Sequence, residues 1–422
     1  MNAEIIIIGD EILLGLVTDT NSAFIARTFA PLGIAIRRIT KVGDKIEDII
    51  GALQQVSPDS EIVITSGGLG PTHDDKTREA VAAFLGTSLQ TNSAALDEIK
   101  SAYARAKRTM TDANAVQALI PTGADYLSNQ LGTAPGIKFH KNQTTFFCLQ
   151  GVPKELESMV KHHVVPFVSN KAGKEIIAYR TLRATGIPES ALYEHVKEII
   201  KNFSDQLDIA FLPKLAVGVD VRLTTSKRML PETAHALIED AQTKFINKIH
   251  EKYPAAVYAF DDDTMENAVA QLLFKTKLTI ATAESCTGGL IAHRLTNVSG
   301  SSAYFMQGVT AYSNASKMQL LNVPEELIRQ HGAVSEEVAK AMAEGVRKLA
   351  GTDIGVSTTG IAGPTGGTSE KPVGLVYIGL ATKKGTQVIK PLILPFPTDR
   401  VTFKERSSQM ALNEIRKFLI SL

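Results

Sequence analysis

Short, mostly apolar segments alternate with amphipathic helical segments near the start of the chain, and the same alternation returns near its end. Residues 3–9 and 61–65 are apolar runs of strand length, whereas residues 19–31, 44–56 and 74–85 have helical periodicity. Strands buried on both faces are typical of parallel sheets, whose connections are right-handed crossovers through helices. The pattern therefore predicts a doubly wound α/β domain.

Polar segments divide the chain into three predicted domains. The first segment begins at Ser169 and separates an N-terminal doubly wound domain, residues 1–170, from a small α+β domain, residues 175–258. The second, residues 261–264, leads into a C-terminal domain at 262–422, where strands and helices alternate again. The predicted fold class is α/β, with an α+β unit in the middle.

Composition and charge exclude several classes of protein. Hydrophobic residues make up 44% of the chain and charged residues 21%, which is typical of a globular protein. The formal net charge of +1 provides no global attraction to nucleic acid or to an anionic membrane. Two distant cysteines do not indicate a disulfide scaffold or a thiolate zinc site. The first residues lack a signal-peptide pattern, so we expect a cytoplasmic protein without membrane partners.

The segment Thr282-Ala-Glu-Ser-Cys-Thr-Gly-Gly289 follows a predicted strand and opens a predicted helix. Such a turn presents side chains and free backbone N–H groups at the carboxyl edge of a sheet. Ser285 is therefore a candidate nucleophile beside an oxyanion site built from neighbouring amides. Two alternatives remain open: Ser285 and Thr287 only cap the helix, or Cys286 is the nucleophile because a helix N-terminus lowers a thiol pKa.

A serine nucleophile needs a base, and the segment 300–317 supplies candidates. Lys317 could serve only if its pKa were lowered by burial or by nearby cations; otherwise it is a solvated surface lysine. Ser302 and Tyr312 are further polar candidates in this segment. His331 is another possible base, although its position before a glycine indicates a helix end.

Two glycine-rich loops suggest phosphate binding. In the C-terminal domain, residues 358–367 follow a predicted strand, and Lys371 and Arg400 are cations that could meet a phosphate. In the N-terminal domain, residues 65–77 place the candidate phosphate loop Ser66, Gly67, Gly68 and Gly70 before a helix. Asp74 and Asp75 either bind a divalent cation or cap that helix.

The C-terminal domain resembles the nicotinamide-nucleotide amidohydrolase domain of the CinA (competence/damage-inducible protein A) family. The matching segments are AESCTGG, GSSAYF, GVTAYSNASK, HGAVSEEVA, TTGIAGPTGG and EKPVG. The resemblance implies metal-free hydrolysis of the carboxamide of nicotinamide mononucleotide (NMN) to the acid and ammonia. It implies Ser285 as nucleophile, Lys317 as base, Ser302 and Tyr312 as active-site partners, and Arg400 as a phosphate contact. The other residues expected to bind substrate are Glu284, Thr287, Gly288, Thr359, Gly360, Gly363 and Lys371.

The other two domains are similar to the remaining parts of the same family. The N-terminal motifs resemble its molybdopterin-binding (MoCF-like) domain, which implies ADP-ribose pyrophosphatase activity with a divalent metal ion at Asp19, Asp74 and Asp75. The middle domain resembles its KH-type unit but lacks the Gly-x-x-Gly loop that clamps nucleic acid, so we expect no nucleic-acid partner. The family resemblance also implies a homodimer. The alternative function is a non-catalytic nucleotide or pterin binder in competence or damage response.

Overall fold

The structure, a computed structural model, describes residues 1–169, 175–393 and 399–422. Most of the predicted linker that begins at Ser169 lies outside the described residues. The chain divides into two compact units, which are Met1–Tyr179 with Thr225–Ile238, and Arg180–Thr224 with Glu239–Leu422. In the described parts, no helix combines the length and the hydropathy that crossing a bilayer requires.

The N-terminal domain contains a six-stranded sheet and a separate strand pair. Its strands are β1 (Asn2–Ile8), β2 (Ala35–Val42), β3 (Ile62–Ser66), β4 (Leu89–Thr91), β5 (Leu119–Pro121), β6 (Asp125–Leu127), β7 (Gly136–Lys141) and β8 (Thr144–Leu149). β2, β1, β3 and β8 lie side by side in that order and run parallel, as the alternation predicts. β7 and β6 extend the sheet as antiparallel strands, and sequence analysis did not predict them.

Helices cover both faces of this sheet. They are α1 (Asp10–Leu13), α2 (Asn21–Phe29), α3 (Ile46–Gln54), α4 (Thr77–Leu85), α5 (Ser93–Arg105), α6 (Asp112–Ala115), α7 (Pro153–Met159) and α8 (Val165–Ser169), with a π-helical turn at Val160–Val164. Along β1, Ile5 and Ile7 join one apolar core, whereas Ile6 and Ile8 join another. The segment from Ile5 to Ile8 is uniformly apolar because each face of the strand lies against a different layer of helices.

The middle domain is an α+β unit, as predicted. Its strands are β9 (Tyr179–Ala184), β10 (Leu207–Lys214), β11 (Gly218–Thr225) and β12 (Val257–Phe260), and its helices are α9 (Glu189–Phe203) and α10 (Pro231–Lys252). The strands form one sheet in the order β10-β11-β9-β12.

The C-terminal domain contains a five-stranded sheet of order β14-β13-β15-β16-β17. Its strands are β13 (Ile280–Glu284), β14 (Phe305–Thr310), β15 (Ile354–Gly360), β16 (Leu375–Thr382) and β17 (Gly385–Ile393). Its helices are α11 (Met265–Thr276), α12 (Leu290–Thr296), α13 (Asn314–Leu321), α14 (Glu325–His331), α15 (Glu336–Ala350) and α16 (Arg400–Ile420). β14, β13 and β15 run parallel, and β16 and β17 continue the sheet antiparallel. β14, β17 and α13 were not among the elements predicted from the sequence.

A glycine allows α13 to pack closely against α15. Gly345 lies within α15, and a Cβ at this position would stand 2.1 Å from the carbonyl oxygen of Leu321, at the end of α13. Backbone cannot move away from such a contact without shifting the whole helix. The position of α13, and of every side chain it carries, therefore depends on the absence of a side chain at Gly345.

We predict that Gly345→Ala destabilises the protein, because overpacking of this kind typically costs about 1–3 kcal/mol. Gly51→Ala is the matched control: Gly51 also lies within a helix, α3, but a Cβ there meets no atom within 4 Å. That control should be stabilised by up to about 1 kcal/mol, since alanine favours the helix. Urea denaturation followed by circular dichroism measures both free energies of unfolding. Equal effects of the two substitutions would contradict the packing argument.

Candidate active site

Three loops meet at the carboxyl edge of the C-terminal sheet, because β13, β14 and β15 are adjacent and parallel. Ser285 follows β13, Tyr312 lies just beyond β14, and β15 ends at Gly360. A cavity of about 300 Å³ opens between these loops. Its lining residues are Ser285, Cys286, Tyr312, Asn314, Lys317, Ala333, Val334, Thr359, Gly360, Ile361, Ala362, Gly363, Thr365, Gly366 and Arg400.

Ser285 and Lys317 form a buried hydrogen-bonded pair in this cavity. Lys317 Nζ lies 3.2 Å from Ser285 Oγ, and Lys317 is only 2% exposed. Burial disfavours the charged ammonium and lowers the pKa of Lys317 from its ordinary value. The same nitrogen lies 2.9 Å from the carbonyl oxygen of Ala311 and 3.4 Å from that of Tyr312. A neutral amine has two N–H donors for these carbonyls and one lone pair for the serine hydroxyl.

The local sequence explains why Lys317 faces the cavity. Ser313 caps α13 by accepting a hydrogen bond from the Ser316 N–H, so Lys317 lies in the first turn of the helix. The N-terminal end of a helix disfavours a positive charge, which again favours the neutral amine. Sequence analysis left open a solvated lysine, and the structure instead buries this side chain.

Cys286 does not have the properties of a nucleophile. It is 5% exposed, and burial raises the pKa of its thiol to about 12. The thiolate that attacks a carbonyl is therefore scarce near neutral pH. The sequence alternative that makes Cys286 the nucleophile is not supported by this geometry.

Backbone amides beside Ser285 are available to an oxyanion. Within the described residues, the N–H groups of Cys286 and Thr287 donate to no backbone carbonyl oxygen. The Ser285 N–H, by contrast, donates to the carbonyl oxygen of Thr358 at 3.0 Å, which ties the turn to β15. Preorganised N–H groups of this kind stabilise charge that develops on a carbonyl oxygen.

Comparison with known proteins shows a match along the whole chain. Residues 4–170 match a family described as "Probable molybdopterin binding domain", residues 179–253 match "Damage-inducible protein CinA KH domain", and residues 262–419 match "CinA C-terminal domain". A CinA-like protein of Kosmotoga olearia is 42% identical over 422 residues, covering 100% of each chain. A CinA-like protein of Chloroherpeton thalassium is 42% identical over 427 residues, covering 99% of each.

The chain belongs to the CinA family. Its architecture is the MoCF-like, KH-like and C-terminal CinA combination. Among solved structures, the competence/damage inducible protein CihA from Agrobacterium tumefaciens is 35% identical, covers 37% of this chain and 94% of its own, and has a TM-score of 0.34.

Five other residues expected at the CinA site line the cavity. Thr359, Gly360 and Gly363 form part of its wall, and the Thr359 hydroxyl donates to the carbonyl oxygen of Ala333 at 2.8 Å. Arg400 donates from Nη1 to the carbonyl oxygen of Gly363 and from Nη2 to the hydroxyl of Tyr312. Both Arg400 and Tyr312 are exposed, so this contact lies where the cavity opens to solvent.

Glu284 and Lys371 have structural contacts instead of facing the substrate space. The buried carboxylate of Glu284 accepts hydrogen bonds from the N–H groups of Gly289, Ile291 and Ala292, at 3.0, 3.0 and 2.8 Å. It therefore holds the start of α12 and does not line the cavity. Lys371 Nζ donates to two carbonyl oxygens, including that of Val334 at 2.7 Å. Neither Glu284 nor Lys371 lines the cavity, so the structure does not place them where the predicted substrate contacts would lie.

Thr287 and Gly288 shape the turn without lining the cavity. The Thr287 hydroxyl is buried and lies 2.7 Å from the Thr358 hydroxyl. Gly288 has a φ of 62°, in the left-handed region that glycine adopts without strain. These two residues position the turn that carries Ser285.

Ser302 lies at the wrong edge of the sheet for a role in this cavity. It belongs to an exposed 3-10 turn, Ser301–Ala303, that precedes β14. Because β14 and β13 are parallel, a residue before β14 is a strand's length away from Ser285, which follows β13. The structure therefore does not bring Ser302 to the nucleophile. His331 ends α14 as predicted and does not line the cavity either.

Sequence analysis missed Asn314 and Thr365 as cavity residues. Asn314 lies three positions before Lys317, a spacing that puts two side chains on one face of a helix. The sequence would have predicted that Asn314 and Lys317 share a face if residues 314–321 had been predicted to be helical.

The N-terminal phosphate loop is held together by its own polar residues. Ser66 Oγ accepts from Asn21 Nδ2 at 2.9 Å, and a Cβ at Gly67 would stand 2.1 Å from the carbonyl oxygen of Ile8. The Thr77 hydroxyl donates to the carbonyl oxygen of Gly67 at 2.8 Å and would lie 2.3 Å from a Cβ at Gly68. Close backbone packing therefore requires these glycines.

Two of the three carboxylates expected to bind metal, Asp75 and Asp19, make other contacts. Asp75 accepts hydrogen bonds from the N–H groups of Gly70 at 2.8 Å and Thr72 at 2.9 Å. Burial alone would raise the pKa of Asp19, but hydrogen bonds from Ser22 and Lys41 outweigh it and lower that pKa. In the described residues, no group of three or more His, Cys, Asp or Glu side chains could hold a metal ion. Asp19, Asp74 and Asp75 therefore do not fit the expected metal site.

We predict that both cysteines of the native protein resist thiol reagents. Cys148 is fully buried, and burial raises the pKa of its thiol, like that of Cys286, to about 12. Mass spectrometry after incubation with iodoacetamide at pH 8 should detect no label, whereas the protein in guanidinium chloride should carry one label on each cysteine. Rapid labelling of native Cys286 would contradict the assignment of a buried, protonated thiol.

Proposed function

We propose that the C-terminal domain hydrolyses the carboxamide of NMN, with Ser285 as nucleophile and Lys317 as base. The observation that carries this proposal is the buried Lys317 amine, 3.2 Å from Ser285 Oγ and with a lowered pKa. A neutral lysine can accept the serine proton, which makes the hydroxyl a usable nucleophile. The motifs shared with CinA proteins support the choice of a nicotinamide nucleotide.

In the first half of the proposed reaction, Ser285 Oγ bonds to the amide carbon while its proton passes to Lys317 Nζ. The carbonyl oxygen becomes an oxyanion, which the backbone N–H groups of the turn after Ser285 would stabilise. When the C–N bond breaks, Lys317 returns the proton to the nitrogen, and ammonia leaves. The product of this half is an acyl ester on Ser285.

In the second half, water attacks the ester carbon and gives its proton to Lys317. The C–O bond to Ser285 breaks, Lys317 returns the proton to Ser285 Oγ, and nicotinic acid mononucleotide leaves. One water is consumed and one ammonia is released. The same lysine serves as acid and as base, so the proposed reaction needs no metal ion.

Arg400 supports a substrate that carries a phosphate. Its guanidinium lies at the opening of the cavity, bonded to the hydroxyl of Tyr312 and the carbonyl oxygen of Gly363. A guanidinium binds phosphate oxygens in two-point contacts. The reactive carboxamide would then lie at Ser285 and the 5′-phosphate near Arg400. The N-terminal domain adds no step to this proposal, because its carboxylates do not form a metal site.

We predict that Ser285→Ala abolishes the release of ammonia from NMN, because it removes the hydroxyl that contacts Lys317 Nζ. Lys317→Met should lower kcat at least about 100-fold, the scale that a general base contributes. Cys286→Ala is the matched control and should keep most of the activity. Coupled ammonia assays on the full chain, with EDTA present, measure all three. Loss of activity in Cys286→Ala with retention in Ser285→Ala would reverse the assignment of the nucleophile.

We predict that kcat/KM rises with pH through the pKa of Lys317. The neutral amine is the active base, so activity falls as pH drops below that pKa and protonates it. Because burial lowers the pKa of Lys317, the midpoint should lie below the value of about 10.4 for a free lysine. A pH profile of initial rates with NMN measures this midpoint. A rate that instead increases toward low pH would contradict a lysine base.

A further inference from the structure

Asn314 is a polar cavity residue to which the proposed chemistry gives no role. It is the first residue of α13 and lines the cavity together with Ser285 and Lys317. Side chains three positions apart lie on the same face of a helix, so Asn314 and Lys317 face the same space. Asn314 is exposed at the cavity, whereas Lys317 is buried, so the asparagine lies toward the solvent side of the space that both residues line.

The carboxamide of Asn314 is not engaged elsewhere among the described residues. Helix capping, the common role of a polar residue at this place, is performed by Ser313, whose Oγ accepts from the Ser316 N–H at 3.1 Å. Asn314 itself makes no side-chain hydrogen bond or ion pair within the described parts of the chain. Its oxygen is therefore a free acceptor beside the Ser285–Lys317 pair.

A bound carboxamide needs such an acceptor. Its carbonyl oxygen can use the N–H groups of Cys286 and Thr287, but its NH2 group carries two N–H donors that lose water on binding. The carbonyl oxygens of Ala311 and Tyr312 already accept from Lys317. An unpaired buried donor weakens binding, so a further acceptor oxygen at the cavity favours the binding of a primary amide.

We propose that Asn314 Oδ1 accepts a hydrogen bond from the NH2 group of the substrate's carboxamide and makes the site selective for primary amides over esters. This inference rests on the proposed function. The hydrogen bond fixes the nitrogen on the side of Lys317, from which the leaving group receives its proton. Asn314 is thus a specificity-determining residue.

The test compares two substrates on the full chain: NMN, and the methyl ester of nicotinic acid mononucleotide, which has no N–H donor. Asn314→Ala should lower kcat/KM for NMN roughly tenfold, the scale of one neutral hydrogen bond, and should change kcat/KM for the ester less than twofold. Asn314→Asp retains an acceptor oxygen. Its ratio of amide to ester kcat/KM should stay near that of the wild type, even though the added charge raises the pH at which Lys317 works.

Two control variants separate this role from others. Thr365→Val removes the hydroxyl of another cavity-lining residue, and Gln319→Ala changes an exposed position on α13 that does not line the cavity. Neither should alter the ratio of amide to ester cleavage. Equal losses for both substrates in Asn314→Ala, or an amide-selective loss in Thr365→Val, would overturn the proposal for Asn314.

A second measurement does not depend on turnover. In the Ser285→Ala background, Asn314→Ala should weaken the binding of NMN roughly tenfold, as for one lost hydrogen bond, and leave the binding of the ester unchanged in calorimetry. Equal affinities for NMN with and without Asn314 would overturn the inference. If the wild-type protein cleaves NMN and Asn314→Ala keeps full selectivity for the amide, only the role of Asn314 is refuted. If the wild-type protein does not cleave NMN, the proposed function itself is refuted.

Discussion

Burial of the Lys317 amine is the constraint on which the active site depends. An exposed lysine is protonated near neutral pH and cannot take a proton from serine, whereas this side chain is 2% exposed and has a lowered pKa. The burial depends on the close packing of α13 against α15, which a side chain at Gly345 would prevent. The carbonyl oxygens of Ala311 and Tyr312 then accept hydrogen bonds from the two N–H groups of the neutral amine, which leaves its lone pair for Ser285.

The parallel strands of the C-terminal sheet supply the rest of the site. β13, β14 and β15 end at the same edge, so residues separated by many positions in the sequence become neighbours there. Two buried contacts stabilise the turn after β13, namely the Glu284 carboxylate at the start of α12 and the Thr287–Thr358 hydroxyl pair. These contacts leave the N–H groups of Cys286 and Thr287 without a backbone carbonyl acceptor among the described residues, so that they can stabilise an oxyanion.

Sequence analysis predicted the alternating elements of both α/β domains and the position of Ser285, because apolar strands and glycine-bearing turns leave local patterns. It could not predict that Lys317 is buried, since that depends on how two distant helices pack. Ser302 was expected at the site from the resemblance to the CinA family, and the structure instead places it before β14, at the opposite edge of the sheet from Ser285. The contacts of Lys371 were not predictable either. The sequence does not distinguish a lysine that donates to carbonyl oxygens, as Lys371 does, from a lysine that binds phosphate.

The central claim is covalent catalysis by Ser285 with Lys317 as its base, and mass spectrometry of the acid-quenched protein tests it most directly. After rapid mixing with NMN, peptide mapping should find the nicotinoyl nucleotide attached to the peptide that contains Ser285, at a time when ammonia has already been released. The adduct should be absent from Ser285→Ala. Ammonia release with no adduct at any time, or an adduct on Cys286, would contradict the account.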